Sequence, residues 1–161
     1  MVMIGAIRVK GLDKTLVKLN KEMKSIRFKT KKGLINAGFL VQRASQKIVP
    51  RDYSNLAASA FTVWGPESTI VRGAGGKSFK GPQAGAMSSD HNRIVSQEKM
   101  SLPKGDINPQ VEVGFSAYYA LYVHEDLNAK HKSGKEAKFL QRALERNYGR
   151  ILSIVSGSVK I

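Results

Sequence analysis

The sequence contains no cysteine. A disulfide framework, a thiol nucleophile and a Cys-ligated zinc site are all excluded at once, and the absence fits a reducing cytoplasm. Histidine is scarce as well: His91, His124 and His131 are the only three. No Ser-His-Asp arrangement emerges from their spacing, and nothing in the chain calls for catalysis. No stretch approaches the roughly eighteen consecutive apolar residues that mark a membrane-spanning helix. The opening MVMIGAIRVKGLDK has no long apolar run and no evident cleavage site, so it does not read as a signal peptide. Acidic residues are also few, 12 against 27 Lys and Arg, which leaves a formal net charge of +15. Such a balance favours polyanionic partners: nucleic acid, an acidic protein face or an anionic membrane. The plain alternative is a basic chain whose charge only keeps it in solution.

What is present suits a single domain over 1–161, since the length does not fill two cores. Residues 3–10 read as a short strand ended by Gly11. Leu12, Leu16, Leu19, Met23 and Ile26 then recur at steps of four and three, one face of an amphipathic helix. Leu34, Ala37, Val41, Ala44 and Ile48 predict a second helix over about 30–48, stopped by Pro50. Alternation in 55–65 and again in 110–116 predicts strands. Residues 117–125, AYYALYVHE, are compatible with strand or helix. Residues 66–109 are rich in Gly, Ser and Pro and read as a long flexible loop or arm, with a short strand near 69–72. Phe139, Leu140, Ala143, Leu144, Tyr148, Ile151, Leu152 and Val155 predict one long C-terminal helix over about 134–156. The expected class is α+β: an antiparallel sheet of about four strands, with two N-terminal helices and one long C-terminal helix packed on it, plus the loop insertion.

Three constellations could carry chemistry. His124, Glu125, Asp126 and His131 are candidate metal ligands or nuclease acids. Adjacent side chains diverge, however, and His131 lies among Lys130, Lys132 and Lys135, so a charged turn is the better reading. RGAGGKS at 72–78 ends like a phosphate-binding loop, but Val71 stands where the first glycine belongs and Pro82 follows where a helix should run. No metal and no cofactor are expected. The third is the basic residues. Thirteen Lys or Arg lie between Arg8 and Arg51 against two acids, Asp13 and Glu22. Lys14, Lys18, Lys21 and Lys24 flank the first apolar stripe, and Lys138, Arg142, Arg146 and Arg150 recur every four residues near the C-terminus. These rows suit DNA phosphates or an acidic partner. No base-reading motif accompanies them.

Four segments carry a resemblance: GLDKTLVKLNKEM; ASQKIVPRDYSNLAAS; VEVGFSAYYALYVHEDL; and GKEAKFLQRALE. Their order resembles the neck and tail-completion (head–tail joining) proteins of long-tailed double-stranded DNA phages, with 66–105 outside the likeness. The matching positions are Pro50, Leu56 to Ser59, Tyr119 to Glu125 and Lys138 to Leu144, with Tyr122, His124, Glu125, Phe139 and Leu140 among them. YSN stands where the family often has Thr-Gly, and HEDLNA replaces a Glu-x-Gly-Thr. The resemblance implies a non-enzymatic virion protein at the head–tail junction, made in the host cytoplasm. It implies a homo-oligomeric ring, a hexamer, around the DNA channel. Its partners would be the connector or head-completion protein and the tail terminator, with non-specific contact to packaged double-stranded DNA and no membrane. Arg72, Lys77, Phe79 and Lys80 would then belong to an arm that touches the next subunit. Other classes consistent with the residues are a tail terminator or minor capsid protein, and a metal-dependent nucleic-acid enzyme.

Overall fold

A computed structural model of the chain describes residues 12–50, 54–68 and 79–160. The two apolar stripes near the N-terminus belong to one helix, α1 (Leu12–Ile48), of 37 residues and about 55 Å. The expectation of two N-terminal helices is thereby corrected. Nothing between Ile26 and Leu34 stops a helix. Gly33 costs about 1 kcal/mol, and a nucleated helix gains a bond for each residue it adds. The step from Ile26 to Leu34 is a little over two turns, so the stripes stay in phase. At the far end Val49 still donates to the Ser45 carbonyl at 2.9 Å before Pro50 ends the run.

A one-turn helix, α2 (Asn55–Ala58), leads into β1 (Ala60–Val63). β1 pairs antiparallel with β2 (Glu112–Phe115), in the register Ala60↔Phe115 to Val63↔Glu112. Among the described residues these are the only strands, so the expected sheet of about four is overturned: the fold is mostly helical around a two-stranded ribbon. The strands read at 3–10 and 69–72 lie outside the described residues. The tyrosine-rich run forms a short helix, α4 (Ala120–Glu125), with Tyr119 at its N-cap.

The supposed loop contains α3 (Ala84–Ser101). Its glycine, serines and polar residues suggest a turn region, yet Met87, His91 and Val95 are buried at helical spacing. A histidine in the middle position hides this stripe from a hydropathy reading. The long C-terminal helix is also corrected, to α5 (Phe139–Arg146) and α6 (Tyr148–Val159). Asn147 divides them. Its main-chain N–H donates to the Leu144 carbonyl at 3.2 Å, and its side-chain amide to the Ala143 carbonyl at 2.8 Å. Its own carbonyl accepts the Ile151 N–H at 2.8 Å and starts the next helix.

A two-stranded ribbon is marginal by itself; here every β1 residue is buried. On one face Phe61 and Val63 pack with Val95, Ile94 and Leu102 around α3. On the other, α1 passes beneath at Gly38, where a Cβ would lie 2.7 Å from Val111 Cγ1 and 3.0 Å from Thr62 Cγ2. α6 runs along α1 in the same manner: at Gly33 a Cβ would meet Ser158 Oγ at 2.8 Å and Val155 Cα at 3.1 Å. A second cluster, built on Val49, Leu56, Ala57, Met87, Ala117, Ala120 and Phe139, joins the end of α1 to α2, α3, α4 and α5.

Gly38→Ala tests this packing. Its gain in helix propensity, about 1 kcal/mol, is opposed by an overpacking cost of about 1–3 kcal/mol, because the facing methyls are on short, branched side chains. A net loss of stability is expected in chemical denaturation. Gly157→Ala in α6, with nothing within 4 Å, should stabilise.

Candidate functional site

α1 has two unlike halves. Every residue from 14 to 24 is exposed, whereas buried positions recur from Lys31 onward. The apolar stripe nevertheless continues through the exposed half. Leu16, Leu19 and Met23 are 47%, 54% and 39% exposed, and they lie on the helical face that buries Ala37 and Val41 further along. At 100° per residue, Lys14, Lys18 and Lys21 fall on the opposite side, with Lys24 on a flank. None of these four lysines has an ion-pair partner among the described residues.

Where the exposed half meets the body, Lys31 is buried. Its ammonium pairs with Glu67, lies 3.1 Å from Asp106 Oδ1, and donates to the Gly105 carbonyl at 2.9 Å. The loop after β1 and the loop after α3 are thus tied to one point on α1. Burial alone would lower the Lys31 pKa, but the Glu67 and Asp106 carboxylates together outweigh it and hold it above its ordinary value. The Lys31 hydrogen bond is the main reason the Glu67 carboxyl sits below its ordinary range.

Beyond Lys31 the stripe forms the floor of an open groove of about 730 Å³. Leu34 lies on α1, Val111 and Val113 on the strand side, and Leu140, Leu144 and Ile151 on α5 and α6. Leu144 is half exposed, and the groove-lining Gln141 donates to Glu145 at 2.8 Å.

The basic residues near the C-terminus are placed differently from those on α1. Lys138, in the left-handed N-cap of α5 (φ 53), pairs with Glu125. Arg142 and Arg146 both bond Glu136, the latter through Nη1 at 2.9 Å and Nη2 at 3.0 Å. These bonds from Arg146 and Arg142 pull the Glu136 pKa down to about 2. Arg150 lies on α6, beyond the Asn147 break. Three of the four cations are therefore ion-paired, sharing the two carboxylates Glu125 and Glu136, and the fourth lies on a separate helix.

The residues that carry the resemblance are mostly packing residues. Pro50, Leu56 and Tyr119 line one small hollow of about 290 Å³. Leu56 and Phe139 are in the main core cluster, with Tyr119 and Leu140 packed against it. Tyr122 points outward, 74% exposed. His124 stacks edge-on against Phe139 at 4.8 Å, and its Nδ1 contacts Glu125 Oε1 at 2.8 Å. The Lys138 N–H donates to the His124 carbonyl at 2.7 Å, so this turn sets the start of α5. Asp126 accepts the Asn128 and Ala129 N–H groups at 3.0 and 3.1 Å. Among the described residues no three His, Asp or Glu side chains converge on a metal position.

Of the arm residues, Arg72 and Lys77 lie outside the described residues, as does most of RGAGGKS. Phe79 packs on the main cluster and meets the His91 ring at 5.7 Å. Lys80 exchanges two main-chain bonds with the Asn55 side-chain amide, at 2.8 and 2.9 Å. Both residues are held on their own body. His91, a loop residue by the sequence pattern, is buried and contacts Ser116 Oγ at 2.6 Å. Its spacing of four from Met87 and Val95 is the signal in the sequence that points to a helix.

No protein-family model, no curated protein and no solved structure matches this chain.

Lys31→Met tests the junction. The loss should be about 1–3 kcal/mol, less than the ~3–5 kcal/mol for a fully buried pair, because Glu67 and Asp106 remain in contact with water. Glu67 has a depressed pKa, so its contribution is present above the ordinary carboxylate range and lost as pH falls through the folded value. Lys31 has a raised pKa, so its contribution is lost as pH rises through that value. The difference in thermal midpoint between wild type and variant should therefore be widest near neutrality and narrow toward both extremes.

Proposed function

We propose that this chain is a structural subunit of the head–tail junction of a long-tailed double-stranded DNA phage, assembled as a ring around the DNA channel and acting without catalysis. The observation that carries this reading is the uncovered half of α1. It presents an apolar stripe on one side and, on the other, lysines with no ion-pair partner among the described residues. In water each uncovered large apolar side chain forgoes about 1.5–3 kcal/mol of burial, so a helix of this kind is suited to a second protein surface. The lysines on its back are suited to phosphates, and in a ring both needs can be met together. The motif order supports the same reading, because its residues are those that pack the core and set the start of α5.

Removal of the gene product from an infected cell tests the position in the particle. Finished heads and finished tails left unjoined are the expected outcome; tails of irregular length would assign a terminator instead. DNA contact has its own test. The purified chain should bind duplexes of any sequence, with affinity falling steeply in salt. Replacing Lys14, Lys18, Lys21 and Lys24 with Ala should reduce the slope of log K against log salt by up to about four, at roughly 0.9 for each phosphate that is no longer neutralised. An unchanged slope would remove these lysines from the DNA-facing surface.

A further inference from the structure

We infer that the apolar groove on α1 is the receptor for the uncovered stripe of α1 from a second copy of this chain, in head-to-tail order. The inference rests on the ring reading above and supplies its contact. Stripe and groove lie on one helical face but at different levels. Met23 is about 16 Å from Leu34 along the axis, and Leu16 about 27 Å from it. A continuous helix cannot fold its own stripe back onto its own groove, so within one copy both stay unfilled. Two copies can satisfy each other.

The groove has the chemistry for this occupant. Its walls are Leu34, Val111, Val113, Leu140, Leu144 and Ile151, and its volume is in the range of sites that take several side chains at once. The stripe supplies Leu16, Leu19 and Met23 at steps of three and four, the spacing of an amphipathic helix that lies in a groove. Charge agrees. Gln141, which lines the groove, holds the exposed Glu145 carboxylate at 2.8 Å, and Arg27 flanks the stripe that would lie beside it.

Because one partner surface is the stripe and the other the groove, the contact is heterologous. Every copy has one of each to offer, so the arrangement propagates and closes when the rotation allows.

The absence of cysteine makes disulfide trapping clean. A chain carrying both Met23→Cys and Leu144→Cys, oxidised at high protein concentration, should give a covalent ladder that runs past the dimer. A mixture of the two single variants should give the mixed dimer in preference to either self-pair. Adding Leu16→Asp should suppress the ladder, while Lys21→Cys with Leu144→Cys, which uses the opposite side of the helix, should give none. Circular dichroism of each variant confirms that the fold is retained. No trapped species with the fold intact overturns the contact. A product that stops at the dimer overturns the head-to-tail order in favour of a two-fold pair. Unjoined heads and tails without this cross-link would leave the junction role standing and sink the contact alone.

Discussion

One constraint organises this molecule: a single unbroken helix must serve as the spine of the body and continue past it. The body grips α1 at two places where only hydrogen fits, Gly33 under α6 and Gly38 under the ribbon. Close approach there lets short helices and a two-stranded sheet form a core that neither would support alone. The same helix then leaves that core with its apolar stripe still running. Lys31 marks the transition, because its buried ammonium gathers the two flanking loops onto the last turn that the body covers.

Charge is distributed to match. Net basicity does not mean that every cation is available to a partner. Glu136 holds Arg142 and Arg146, and Glu125 holds Lys138, so the C-terminal cations fix the entry and course of α5. The lysines of the exposed α1 half form no ion pair among the described residues, although Asp13 and Glu22 lie in the same stretch. Of the two basic rows visible in the sequence, one is therefore an internal brace and the other an outward surface. Spacing alone cannot separate them, since the deciding acids lie elsewhere in the chain or across a turn.

Helical stripes are legible in this sequence where they are strictly periodic. The apolar face of α1 is visible at both ends, but its continuity is not. The Lys-rich, Gly-containing stretch before Leu34 looks like a break, although one glycine is a small penalty in a long helix. The ribbon strands are legible by alternation. α3 is not, because Gly85 and its serines and asparagine resemble a turn, and because His91 occupies the centre of its buried face. The break at Asn147 depends on a side-chain amide bond to the preceding turn, which no periodicity encodes. For the candidate site, the lysines and the stripe can be read from sequence. That the stripe is covered over only half its length cannot, since burial depends on where distant elements dock.

The length of α1 has a mechanical corollary. About 28 Å of helix extends beyond Lys31, so a tilt of about 5° where the body grips it moves the tip by roughly 2–3 Å, half a helical turn of travel. The atoms that set that tilt are the few around Gly33 and Gly38. A methyl group gained there would act on where the far end of the helix arrives as well as on the stability of the packing. In a closed assembly that distance governs circumference, so the bore of a multi-subunit collar could be tuned by residues that touch neither a neighbour nor the lumen.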